Sequence, residues 1–163
     1  MTSSEYVKET IDIMIGILSE KYEILKDILD LTISQTNAIN NEEFETLEKL
    51  VHEKQVKINL IEPLDERFST TFTGLKDKLG IKSIEQLGSS NIKGAKDLRE
   101  FTMKVLGIIA EIGVIEKQNN EMMSKIIDES KKQIKSIIHG KKAISAYSRN
   151  PESPPSYYID KKK

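Results

Sequence analysis

Leu98-Arg-Glu-Phe101-Thr-Met-Lys-Val105-Leu-Gly-Ile108-Ile-Ala-Glu-Ile112-Gly-Val-Ile115-Glu-Lys-Gln-Asn119-Asn-Glu-Met122-Met-Ser-Lys-Ile126 decides the fold. The numbered residues recur at spacings of three and four without a slip, and all but Asn119 are apolar. That period is the mark of a helix that buries one stripe against partner helices. Beyond Ile126 the alternation moves one residue over, through Met123, Ile127, Ser130, Ile134 and Ile137, until His139 and Gly140 suggest a stop. The expected helix, about 92–138, would span roughly 70 Å at 1.5 Å per residue.

Two more long helices are expected before it. Ser3 or Ser4 can cap the first, running to about Thr36, with Ile11, Ile15, Leu18, Tyr22, Leu25, Leu29 and Ile33 as its seam. Asn37, Asn40 and Asn41 suit a break and a tight turn. Asn41 can then cap a second helix over about 42–69, with Phe44, Leu47, Val51, Ile58, Ile61 and Phe68 on one side. Lys54 and Asp65 interrupt that seam, and Pro63 should kink or split the helix because it lacks an N–H. Gly74, Gly80 and Gly88 make 70–91 a connector with short helical pieces, one of them opened by Ser83 with Gln86 three residues on. Strand patterns are absent. The fold class is all-α: an elongated antiparallel hairpin or bundle of three long helices with coiled-coil-like packing, one helical unit over 1–140. The remainder, 141–163, contains Pro151, Pro154 and Pro155 among Ser and Lys, and reads as a disordered basic tail.

Composition narrows the function. Charged residues are 31% of the chain and aromatic ones 6%, a balance suited to amphipathic helices. There is no Cys, so disulfide and thiolate chemistry are excluded. No apolar run is long enough for membrane insertion, and Glu5, Glu9 and Glu20 flank the first apolar residues, unlike a signal peptide. The cytoplasm is the expected location. The basic tail follows an acidic body that repels phosphate, and no Arg-rich or aromatic-interleaved groove accompanies it, so no nucleic-acid partner is expected. His52 and His139 lie on separate helices without a second ligand at a metal-binding offset. The stretch from Gly88 to Gly94 has no preceding strand and lacks the Gly-Lys-Ser/Thr ending of a phosphate loop. Glu42, Glu43 and Glu45 read as a solvated face. No cofactor and no enzyme activity are expected.

What remains is binding. Two helices of about 30 residues cannot cover a third of about 46, so some of Met123, Ile126, Ile127, Ile134, Ile137 and Ile138 should stay open to a partner helix. Self-association through the same stripe, as a homo-oligomeric scaffold or adaptor, is the alternative. Asn119 either fixes register against a partner helix or marks an exposed notch where the seam changes over.

Three stretches resemble the FlgN family of flagellar export chaperones. They are Glu20 to Leu29; Phe44 to Lys54 followed by Ile58, Leu60 and Ile61; and Glu116-Lys-Gln-Asn119-Asn-Glu-Met122-Met123. The second is similar to the family's lysine followed by paired aliphatics, which gives Lys54 a place. The third is similar to its Asn-containing segment before two large apolar residues. Tyr147 and the Lys-ending tail fit as well, although Ser148-Arg-Asn150-Pro replaces the Gly often found after that Tyr. The resemblance implies a bacterial cytoplasmic chaperone that binds the C-terminal helical region of hook–filament junction proteins. It would prevent their early assembly and deliver them to an export gate component. The partner-binding residues expected are Asn119, Met122, Met123, Ile126, Ile127, Ile134, Ile137, Ile138 and Tyr147.

Overall fold

The structure, a computed structural model, describes the backbone of residues 2–148 and side chains through residue 145. It is all-α among the described residues, with α1 over Ser3–Asn40, α2 over Phe44–Leu79, the short α3 over Ile84–Gly88 and α4 over Ala95–Ser148. Two compact units result, Met1–Lys117 and Gln118–Lys163.

The first unit is an up-down-up arrangement of α1, α2 and the beginning of α4. Lys21 pairs with Asp65 at 2.6 Å and Lys57 with Asp27 at 3.0 Å, so α1 and α2 run antiparallel. Tyr22 meets Phe101 edge-on at 6.1 Å, and Gly94 lies against Ile11, so α4 starts beside the start of α1 and runs parallel to it. Between them Ile11, Met14, Leu18, Leu25, Leu75, Leu87, Leu98, Val105, Ile108 and Ile112 form one apolar cluster. Each such side chain, moved fully out of water, contributes roughly 1.5–3 kcal/mol. Gly94 has φ 86°, and a Cβ there would stand 3.1 Å from Ile11, so both backbone and space call for glycine.

The helix ends differ from the sequence reading. Thr2 caps α1 instead of Ser3 or Ser4: its hydroxyl accepts from the Glu5 N–H, and Glu5 returns a bond to the Thr2 N–H, both 3.1 Å. The helix does not stop at Thr36. Ala38 and Ile39 are both buried, and that packing carries the helix through Asn37 and Asn40. The turn is a Schellman motif in which Glu43 N–H bonds Ala38 O, Glu42 N–H bonds Ile39 O, and Glu42 takes φ 52°. Asn41 therefore ends α1 and does not cap α2, whose first residue follows Glu43 with no side-chain cap.

Pro63 does not split α2, and Gly74 does not end it; the helix closes only at Gly80, φ 68°. Phe68, Phe72, Leu75 and Leu79 keep packing on the cluster, and this burial outweighs one missing hydrogen bond. The Ser83 hydroxyl caps α3 by accepting from Gln86 N–H at 3.2 Å, as its spacing implies. Gly140 does not end α4, which continues to Ser148; a helix glycine costs about 1 kcal/mol, and no proline follows until Pro151. Residues 141–148, assigned from sequence to the disordered tail, are thus helical, while 149–163 lie outside the described residues.

Two seams also shift. On α1 the buried line runs through Ile28, Thr32, Gln35 and Ile39, leaving Ile33 exposed. On α2 Leu64 and Leu75 are buried, whereas Phe44, Val51 and Ile58 are exposed. Asp65 lies on the surface and serves the Lys21 pair.

Candidate partner-binding surface

Lys54 shows how the first unit tolerates a charge in its interior. Its ammonium is buried, donates to Gln35 Oε1 at 3.2 Å, and forms an ion pair with Glu116. Those residues come from α2, α1 and α4, so one side chain ties the three long helices together. Glu116 keeps almost half its side chain in water, which lowers the cost of confining the pair. Sequence reading placed Lys54 on the seam but missed Gln35 and Glu116 as its partners. No local pattern reports a pairing between residues so far apart in the chain.

The second unit carries all of the residues expected to bind a partner. Asn119 is buried and hydrogen-bonded or otherwise engaged, not an exposed notch. Met122, Met123, Ile126, Ile134 and Ile138 are half-buried, and Ile127 is exposed. Ile137 is 50% exposed. Ile144 was missed because the sequence reading ended the helix at Gly140; it is 68% exposed. At 100° per residue, Asn119, Met123, Ile126, Ile127, Ile134, Ile137, Ile138 and Ile144 fall on one side of α4. Lys125, Asp128, Lys132 and Lys135 take the other. Tyr147 lies in the last turn of α4, and its side chain falls outside the described set.

A line of branched aliphatics with Met123 on it and Met122 at its edge, interrupted on the same side by Lys141, can accept an apolar helix face. It contains no nucleophile or acid–base pair. Among the described residues no group of three His, Cys, Asp or Glu side chains is placed to hold a metal, and no helix is long and apolar enough to cross a membrane.

The sequence matches the family model described as FlgN protein over residues 1–154. The chain belongs to the FlgN family. No curated protein and no solved structure matches it. FlgN membership makes the chain a flagellar export chaperone, of a chaperone family and not an enzyme family, with flagellar proteins as its partners. Both sides of the Lys54–Glu116 pair and the Asn119-Asn-Glu-Met-Met123 segment fall inside the FlgN match.

Proposed function

We propose that this FlgN-family chain is a cytoplasmic chaperone for hook–filament junction proteins. It would bind their C-terminal amphipathic helix along the apolar side of α4 in the second unit, block early assembly, and pass them to a component of the export gate. The observation that supports this reading is the exposed aliphatic line through Ile127, Ile137 and Ile144. Apolar surface left open on a helix gains roughly 25 cal/mol for each Å2 that a partner covers. A cargo helix that stays unfolded until it assembles can be captured and released by burial alone, without nucleotide hydrolysis. Asn119, Met122, Met123, Ile126, Ile134 and Ile138 would line the same contact, with Tyr147 at its far end.

Replacing Ile127 and Ile134 by Asp tests this. Binding of a C-terminal peptide from a hook–filament junction protein should weaken at least about 100-fold, since two carboxylates would be buried without partners. The thermal melt should hardly move. A large drop in melting temperature would show that the two isoleucines are core. An unchanged melt with unchanged capture would take the site off this side of α4.

A further inference from the structure

Within the first unit, α4 carries a second apolar face opposite the one that packs on α1 and α2. Of the residues from Phe101 to Ile115, only Lys104 and Glu111 are charged. The inward side takes Phe101, Val105, Ile108, Ile112 and Ile115. Outward stand Met103, 61% exposed, Leu106, 57%, and Val114, 59%, with Gly107, Ala110 and Gly113 beside them. A solvated helix face is ordinarily charged, so this one is out of character. The glycines sharpen the point. Each costs about 1 kcal/mol in a helix interior. A Cβ at Gly107 or Gly113 would meet nothing within 4 Å, so no packing inside the chain requires either of them.

Arg99, Met103, Leu106, Ala110, Gly113 and Lys117 follow one another at heptad spacing, a second seam on the same helix. Its order is large, large, small, small. Run parallel against itself, such a seam would set large on large and leave a void at the glycine. Run antiparallel about a two-fold axis, it sets Met103 against Gly113 of the other copy and Leu106 against Ala110. Each large side chain then fills the space a small one leaves. At each end Lys117 comes alongside Arg99 of the other copy, a like-charge contact at the solvated rim that Glu100 offsets in part and that further weakens the pair. We propose that this face of α4 is where a second copy of the chain docks, antiparallel, independently of the cargo surface. A single helix face falls short of the roughly 800 Å2 per partner of a standard interface. The pair is therefore weak and concentration-dependent.

Sedimentation velocity of the full chain tests the pairing through its orientation. The unmodified protein should shift from monomer toward dimer as its concentration rises to about 100 µM. Met103→Lys and Gly113→Glu, each alone, should weaken the dimer about tenfold or more by burying a charge. The double variant should recover it, because in the antiparallel pair each new Lys faces a new Glu. Met103→Lys should melt as the unmodified protein does, and Gly113→Glu and the double variant no lower, since both positions are exposed and a helix glycine is the poorer helix former. A monomer throughout the range would overturn the proposal, as would single variants that still dimerise, or a double variant no better than the singles. If the single variants sediment as the unmodified protein does but lose the junction-protein peptide, the face belongs to cargo and the proposal fails.

Discussion

Lys54 and Glu42 each hold an unfavourable position that the surroundings make tolerable. For Lys54 the tolerance is electrostatic. Removing Glu116 leaves an ammonium in the interior with Gln35 Oε1 as its remaining acceptor among the described residues. Removing Lys54 leaves one buried amide unsatisfied, while Glu116 can turn to water. Glu116→Leu should therefore destabilise by about 3 kcal/mol and Lys54→Met by about 1–2 kcal/mol, read by chemical denaturation. The reverse order would mean that the pair contributes less than the amide bond. For Glu42 the tolerance is conformational. A left-handed residue with a Cβ is strained by about 1 kcal/mol, and glycine relieves that strain. Glu42→Gly should raise stability by about 0.5 kcal/mol once the glycine's greater freedom in the unfolded chain is deducted. A destabilised variant would show that the carboxylate does something in the turn that its backbone geometry does not reveal.

At the level of elements, α2 is the instructive one. Its interior contains Pro63, which removes a hydrogen bond, and Gly74, which weakens the helix, yet it runs from Phe44 to Leu79. The buried residues on both sides of Pro63, Lys54 and Leu64 before Leu75, hold the segment to its neighbours. Pro63 itself faces water. Pro63→Ala should accordingly stabilise the protein by at least about 1 kcal/mol, restoring a donor and removing a ring clash. Equilibrium denaturation measures this, and no gain would mean that α2 needs the local distortion for its packing. The same competition explains α1. Its three asparagines favour a turn locally, but Ala38 and Ile39 bury on the helix and move the turn to Asn41, Glu42 and Glu43.

For the whole molecule, the two proposed surfaces lie in different units and use different chemistry. The cargo surface is rich in branched aliphatics and methionine, and adapts to an apolar helix. The self-association face alternates large with small residues, and selects a copy of itself in one orientation. Charged substitutions at Ile127 and Ile134 therefore separate cleanly from those at Met103 and Gly113, because each pair has its own readout.

The sequence by itself determined the three long helices, the apolar character of their inward sides and the family. Those follow from periodicity, which is local: a residue three or four positions on shares a helix face whatever else the chain does. The unbroken alternation from Leu98 to Ile126 is the clearest case, and Ser83 with Gln86 is another. Membership in the FlgN family was legible in the stretches around Glu20, Lys54 and Asn119 for the same reason, since each is a short contiguous pattern. Only the tertiary structure decided where helices end, which seam residues are buried, and what partners Lys54. Gly140, Pro63 and Asn37 all carry local signals to stop, and in each case the helix continues. A stop signal is worth one to three kcal/mol; burial against neighbouring elements supplies more than that at Asn37 and Pro63, and at exposed Gly140 the cost of about 1 kcal/mol is too small to end the helix. Thr32 and Gln35 replace Ile33 in the core because the position of α2 and α4, not hydrophobicity alone, selects which line of α1 is covered. The ion pair of Lys54 with Glu116 depends on three helices meeting at one level, and no window of sequence contains all three.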